Sequence, residues 1–139
     1  MKICKIMKRN IRTIGMDKTL AEIESIMKKS SIEHLPVMDE GKLVGMISDL
    51  DIKSFKSIKA GTAASDHKDE LTLELKAFQI MVREVITVAE EASVSDAIRI
   101  MIDKQIHCLP VLSGRNQLVG IVSSTDILRS YLTVIEMLE

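Results

Sequence analysis

Two stretches of this chain place chemically useful residues at a fixed spacing. Gly45-Met46-Ile47-Ser48-Asp49-Leu50-Asp51 and Gly120-Ile121-Val122-Ser123-Ser124-Thr125-Asp126 share the order Gly, two apolar residues, Ser, two variable residues, Asp. A strand that hands a Ser to the start of a helix gathers free backbone N–H groups, a hydroxyl and a carboxylate at one point. Such a helix start attracts phosphate, and a carboxylate accepts charge-assisted hydrogen bonds from paired hydroxyls such as those of a ribose. Ser-x-x-Asp is also a capping box, and either copy taken alone reads as a cap. Two copies, each preceded by Gly and by a Leu-Pro-Val run, shift the balance toward ligand contact.

The motif pair belongs to a longer internal repeat, which marks two related structural units. Ile6-Met7-Lys8 corresponds to Ile80-Met81-Val82, Thr13-Ile14 to Thr87-Val88, and Ile26-Met27 to Ile100-Met101. His34-Leu35-Pro36-Val37 then corresponds to Cys108-Leu109-Pro110-Val111, before a one-residue length change in a turn.

Each copy reads as strand, helix, strand, strand, helix. Thr13-Ile14 and Thr87-Val88 are short β-branched stretches. Leu20, Ile23, Ile26 and Met27 recur at helical spacing, as do Val94, Ala97, Ile98, Met101 and Ile102, with Thr19 and Ser93 ahead as N-caps. Leu35-Pro36-Val37-Met38 and Leu109-Pro110-Val111-Leu112 run into turn residues and a further apolar run, the signature of a β-hairpin. A proline lacks the N–H of a sheet ladder, so Pro36 and Pro110 are expected at a strand start or on an edge. Ser48 and Ser123 are expected to cap a final helix, which in the second copy continues through Ile127, Leu128, Tyr131, Leu132 and Ile135. The repeats span 1–58 and 79–139. Between them, 59–78 is a linker with a small-residue run from Ala60 to Asp66, and Asp69 to Phe78 reads as helical.

Composition narrows the function classes. At 139 residues, 46% hydrophobic and 28% charged, the chain is an ordinary globular one, long enough for one domain or two small packed halves. Aromatics make up 2%, so the core is built from Ile, Leu, Val and Met, and base-stacking side chains are missing. Net charge is −1 with Lys and Arg dispersed, which argues against a nucleic-acid partner. No run approaches the length of a membrane span or a secretory signal, and the cytoplasm is the expected location. The nine methionines are read mainly as core residues of helical stripes rather than as an adaptable binding surface.

Other chemistry finds little support. Cys4 and Cys108 match no metal or redox spacing. His34, His107 and Cys108 lack the paired spacing of metal ligands, and His67 in the polar linker has no partner residue. No nucleophile has a recognisable base and no Gly-rich phosphate loop is present, so no enzymatic activity is expected.

Both copies resemble cystathionine-β-synthase (CBS) repeats, on the strength of Ile6-Met7 and Ile80-Met81, the two Leu-Pro-Val strands and the two Gly-to-Asp motifs. The resemblance covers essentially the whole chain, and the size and linker are similar to stand-alone CBS pairs, including the acetoin-utilisation type. It implies an α/β (α+β) fold of two βαββα repeats packed about a pseudo-twofold axis, with inter-repeat clefts that take adenosine-containing ligands. Carried over residue by residue, it makes Asp51 and Asp126 ribose ligands, and Ser48 and Ser123 ribose or phosphate contacts. Met46 and Ile121 would line the adenine pockets, Ile11 with Arg12 and Val85 with Ile86 would flank the base, and His34 and Cys108 would present backbone to it.

His107, in Ile106-His107-Cys108-Leu109-Pro110, is similar to the Ile-His-Arg-Leu-Pro pattern of the AMP-activated protein kinase gamma subunit and is the phosphate-ligand candidate. Glu33 stands at the equivalent position of the first copy, where a carboxylate repels phosphate, so the two sites are expected to differ in occupancy. The family's frequent Thr after the first Met is replaced by Lys8 and Val82. Lys8 is a candidate phosphate charge, with a solvated surface role as its ordinary reading, and Lys53 and Arg129 are weaker candidates. The implied function is a regulatory module that senses AMP, ADP or ATP without a required cofactor or metal. It would act as a homodimer on an effector protein that the sequence does not identify. The alternative is a structural dimerisation module with no nucleotide.

Overall fold

The computed structural model describes residues 1–60 and 72–139. It forms two compact units, Arg12–Val85 and a composite of Met1–Ile11 with Ile86–Glu139. In the Arg12–Val85 unit, β1 (Ile14–Gly15), α1 (Leu20–Ser30), β2 (His34–Asp39), β3 (Lys42–Ser48) and α2 (Asp49–Ala60) are followed by the short α3 (Ala77–Ile80). The composite unit begins with a 3-10 turn at Ile3–Lys5 and continues with β4 (Val88–Ala89), α4 (Val94–Lys104), β5 (Cys108–Leu112), β6 (Leu118–Ser123) and α5 (Ser124–Leu138). This is the mixed α/β, βαββα-like order that the repeats imply. Each unit holds one three-stranded sheet, β1-β2-β3 or β4-β5-β6, with a parallel first pair and an antiparallel hairpin.

The apolar spacing sets the buried helix faces. Leu20, Ile23 and Met27 of α1 are buried, as are Val94, Ala97 and Met101 of α4. Thr19 and Ser93 cap these helices, their hydroxyls accepting from the N–H groups of Glu22 and Asp96. Both helices end on a left-handed residue, Ser31 at φ 51° and Gln105 at φ 54°. In each central strand, Leu-Pro-Val is buried throughout.

Two expectations need correction. Pro36 and Pro110 are neither first in their strands nor on an edge; each is the third residue of a central strand. The neighbouring β1 and β4 are two residues long and pair only from Val37 and Val111 onward, so neither ladder reaches the proline. On the other side Pro36 faces Met46 and Pro110 faces Ile121, whose backbone groups bond away from the proline, to Val82 and Lys8. The helix expected over Asp69–Phe78 is interrupted. Thr72 and Leu73 are helical, but Lys76 pairs with Thr19 as an isolated bridge before α3 begins. The rest of that helix, the small-residue run beyond Ala60 and His67 lie outside the described residues.

The sequence repeats, 1–58 and 79–139, are not the packed units. Ile3 and Met7 from the start of the first repeat are buried with Val88, Val94, Met101, Leu109, Val111, Val122 and Ile127 of the second. Ala77 and Met81 are buried with Ile14, Leu20, Ile23, Leu35, Val37, Ile47 and Ile52 of the first. Each sheet thus receives the leading segment of the other repeat. No helix among the described residues is long and apolar enough to cross a membrane.

Candidate functional site

The motif glycines are where the leading segments dock. A Cβ at Gly120 would lie 2.5 Å from Met7 Sδ and 3.0 Å from the Lys8 carbonyl oxygen. A Cβ at Gly45 would collide with Met81 in the same way. The glycine therefore admits a methionine onto the sheet face, close backbone approach being a recurrent reason for a glycine within a strand. The residue after that methionine then pairs with the strand. Lys8 N–H donates to the Ile121 carbonyl at 2.8 Å and Ile121 N–H to the Lys8 carbonyl at 3.0 Å. Met46 and Val82 make the equivalent exchange at 3.0 and 2.9 Å.

Three residues beyond each glycine, the strand ends in the motif serine and the helix begins. Ser123 N–H donates to Asp126 Oδ2 at 2.9 Å and Asp126 N–H donates to Ser123 Oγ at 3.1 Å. The first copy repeats the pair, with Ser48 N–H to Asp51 Oδ2 at 3.1 Å and Asp51 N–H to Ser48 Oγ at 3.0 Å. Both capping boxes are complete. Capping occupies only one oxygen of each carboxylate, so it leaves the second free to meet a ligand or a cation.

That second oxygen distinguishes the copies. Asp126 is 6% exposed, and its Oδ1 faces Lys8 Nζ at 3.6 Å and Arg129 at 3.7 Å. Among the described residues no ion pair reaches Asp51. Lys53, one turn along α2, pairs instead with Asp49 at 3.6 Å.

The strand starts stand beside the motifs. Cys108 is the register partner of Ser123, and His34 that of Ser48. Burial and the Asp126 carboxylate push the Cys108 thiol up to about 12, while Lys8 pulls it the other way, so the thiol is neutral at ordinary pH. The His107 carbonyl accepts from Ser124 N–H at 2.8 Å, which holds the backbone of this exposed residue beside the helix start. The Glu33 carbonyl accepts from Asp49 N–H at 2.9 Å.

The structure therefore gathers His107, Cys108, Ile121, Ser123 and Asp126 in the composite unit, and His34, Met46, Ser48 and Asp51 in the Arg12–Val85 unit. Ile11, Arg12, Val85 and Ile86 make no hydrogen bond or ion pair with either motif among the described residues. Their pairs are also split, with Ile11 and Ile86 in the composite unit and Arg12 and Val85 in the other. Lys8 and Arg129 gain a definite position at Asp126. The sequence marks Lys8 only as the replacement for the family's Thr after the first Met; the glycine contact that seats it is visible in the structure alone.

Among the described residues no group of three or more His, Cys, Asp or Glu is placed to hold a metal ion. Within the Arg12–Val85 unit, a cavity of about 370 Å³ between α1 and α2 is lined by Met27, Ile32, Asp49, Ile52 and three lysines. A larger one, about 620 Å³, lies by Met38–Glu40, at the far end of β2 from His34. Neither includes Ser48 or Asp51.

Comparison with known proteins accounts for this geometry. The CBS domain family model matches residues 3–57 and 77–133. An uncharacterized protein of Methanocaldococcus jannaschii, MJ1404, is 36% identical over 132 residues, covering 92% of this chain; the chain spans 31% of that relative's length. A putative acetoin utilization protein (AcuB) of Vibrio cholerae has a TM-score of 0.79 at 27% identity, over 99% of this chain and 94% of its own. The CBS domain pair of protein MJ0100, solved in complex with 5′-methylthioadenosine and S-adenosyl-L-methionine, has a TM-score of 0.76 at 30% identity, over 94% and 95%. With the family's repeat matched twice and a CBS domain pair of known structure aligned over 94% of its length, the chain belongs to the CBS-domain family as a tandem CBS pair, or Bateman module.

Proposed function

We propose that this CBS pair is a non-enzymatic regulatory module that binds adenosine-containing ligands at its motif ends, AMP, ADP or ATP being the effectors read by at least one of them. The observation that carries the reading is the divided role of Asp126. One carboxylate oxygen closes the capping box, while the other, buried and turned toward two cations, is set to accept ribose hydroxyls. The adenosine ligands of the MJ0100 pair support the ligand class. Likeness to AcuB over 94% of its length supports a stand-alone pair of the acetoin-utilisation type. We infer in addition that the module acts in the cytoplasm as a homodimer on a separate effector protein.

A second reading rests on the completeness of the capping boxes. If holding helix starts is all that the Ser-x-x-Asp motifs do, the module is a dimerisation scaffold. A thermal-shift screen with AMP, ADP, ATP, S-adenosylmethionine and NADH separates the two. A ligand that binds only the folded state adds about 2.7 kcal/mol at a hundredfold excess over its dissociation constant. A shift that Asp126→Asn removes supports the sensor; flat melts with all five ligands leave the scaffold.

A further inference from the structure

The backbone frames of the two motif ends are nearly the same, so the difference between them lies in the side chains they carry. Ser124 N–H meets the His107 carbonyl at 2.8 Å and Asp49 N–H meets the Glu33 carbonyl at 2.9 Å. The Ser-to-Asp boxes agree equally well. At the first motif those positions hold Glu33, Asp49 and Asp51, three carboxylates around one helix start. At the second they hold His107, Ser124 and Asp126, a single carboxylate.

The exchange of leading segments widens the contrast. Lys8 comes from the first repeat, but its backbone pairs with Ile121, and its ammonium adds a positive charge beside Asp126. The first motif receives Val82 at the equivalent place, 49% exposed and without charge. Arg129 adds a second cation at Asp126. Lys53, at the first motif, pairs with Asp49, and Arg12 forms no ion pair with Glu33, Asp49 or Asp51 among the described residues.

Asp49 is answered by Lys53 and faces the lysine-lined cavity between α1 and α2. A phosphate brought to the Ser48–Asp51 end therefore meets Glu33 and an Asp51 that no ion pair neutralises among the described residues, whereas at the Ser123–Asp126 end it meets Lys8 and Arg129. The ribose-binding carboxylate is common to both. Charge of this kind discriminates among ligands by what it repels as much as by what it attracts. Resting on the adenosine-binding reading above, we propose that the two ends divide ligands by charge. The Ser123–Asp126 end takes adenosine compounds that carry phosphate. The Ser48–Asp51 end takes adenosine compounds whose 5′ substituent is neutral or cationic, such as a thioether or sulfonium.

Titration calorimetry of the full chain with AMP, and separately with S-adenosylmethionine, tests the division. AMP is expected to fill one site per chain, and Lys8→Ala to weaken it by roughly two- to fivefold, the scale of an exposed charge contact. Lys8 is an exposed side chain whose backbone bonds survive the change, so the variant keeps its fold. Asp51→Asn should leave AMP affinity within about twofold while removing S-adenosylmethionine binding, the two ends being separate sites. The double variant Glu33→His/Asp49→Ser should gain a second AMP site. Two equal AMP sites in the unaltered protein, or AMP affinity lost equally in Asp51→Asn and Asp126→Asn, would overturn the division and leave adenosine binding standing. Failure of both ligands to bind, with flat melts for ADP, ATP and NADH as well, would overturn the adenosine reading itself.

Discussion

The Lys8 ammonium lies 3.6 Å from Asp126 Oδ1, and the Lys8 backbone is paired with Ile121, in a unit that otherwise comes from the second repeat. A residue of the first repeat thus helps to set the electrostatics of the second repeat's motif. Val82 takes the matching place beside Met46 and brings no charge.

This exchange predicts which fragments fold. The Arg12–Val85 unit carries its own core from Ile14 to Met81, whereas a fragment of residues 1–58 lacks Ala77 and Met81. Losing a buried methionine alone costs about 2–5 kcal/mol, a large part of a small domain's stability. Residues 12–85 should unfold cooperatively in urea, while 1–58 shows a weak or absent transition. Equal cooperativity in the two fragments would count against the packing described.

The contact between Gly120 and Met7 predicts strong coupling. Gly120→Ala forces a Cβ onto Met7 Sδ and should cost about 1–3 kcal/mol through overpacking. Met7→Ala should cost about 2–5 kcal/mol through the cavity it leaves. Because the second change removes the side-chain clash made by the first and leaves only the 3.0 Å approach to the Lys8 carbonyl, the double variant should be more stable than the sum of the two losses by about 0.5–3 kcal/mol. Additive losses in denaturant melts would mean that the two residues do not share a contact.

Capping and ligand binding at Asp126 should separate by mutation. Ser123→Ala deletes the hydroxyl that accepts from Asp126 N–H and should cost about 0.5–2 kcal/mol without ligand. Asp126→Asn keeps an amide oxygen for Ser123 N–H, so the capping box survives, although its NH2 group now stands against Lys8 and Arg129. It should nonetheless abolish the greater part of the nucleotide-induced thermal shift, more than Asp51→Asn does. A larger loss of the shift in Asp51→Asn would reverse the order of the two sites.

Cys108 predicts an alkaline loss of stability. Its folded thiol titrates at about 12, held up by burial and Asp126. The unfolded thiol titrates near about 8.5, so above that pH the unfolded chain sheds a proton that the folded protein retains. Stability then falls as pH rises, by up to about 1.4 kcal/mol per pH unit until the folded thiol also ionises. Urea melts from pH 8 to 10.5 should show the unaltered protein losing about 2.5 kcal/mol more than Cys108→Ala over that range. Parallel curves would show that the thiol is not so confined.

Much of this structure is legible in local sequence. Leu20, Ile23 and Met27 declare a helical face, Thr19 and Ser93 its starts, and Leu-Pro-Val followed by a turn a hairpin; all of these depend on neighbours along the chain. Placing Pro36 required knowing that β1 is only two residues long, a property of the pairing rather than of the strand. The break before α3 depends on the bridge between Lys76 and Thr19, a tertiary contact. Ser123 and Asp126 could be found because one motif contains both. The position of Lys8 could not be read from the alignment, because Met7-Lys8 and Met81-Val82 are equivalents. Equivalence says what each segment packs against, but not in which copy.

The exchanged segments also give the molecule an order of assembly. During synthesis at about 5–20 residues per second, the stretch from Ile3 to Lys8 emerges before any of the strands that it covers. The Arg12–Val85 unit can close once Met81 has been made, whereas Ile3 and Met7 stay without their partners until Leu109, Val122 and Ile127 follow. A nascent chain therefore completes the acidic motif end first. The cationic end, with Lys8 on Asp126, comes into existence only as the last helix is added.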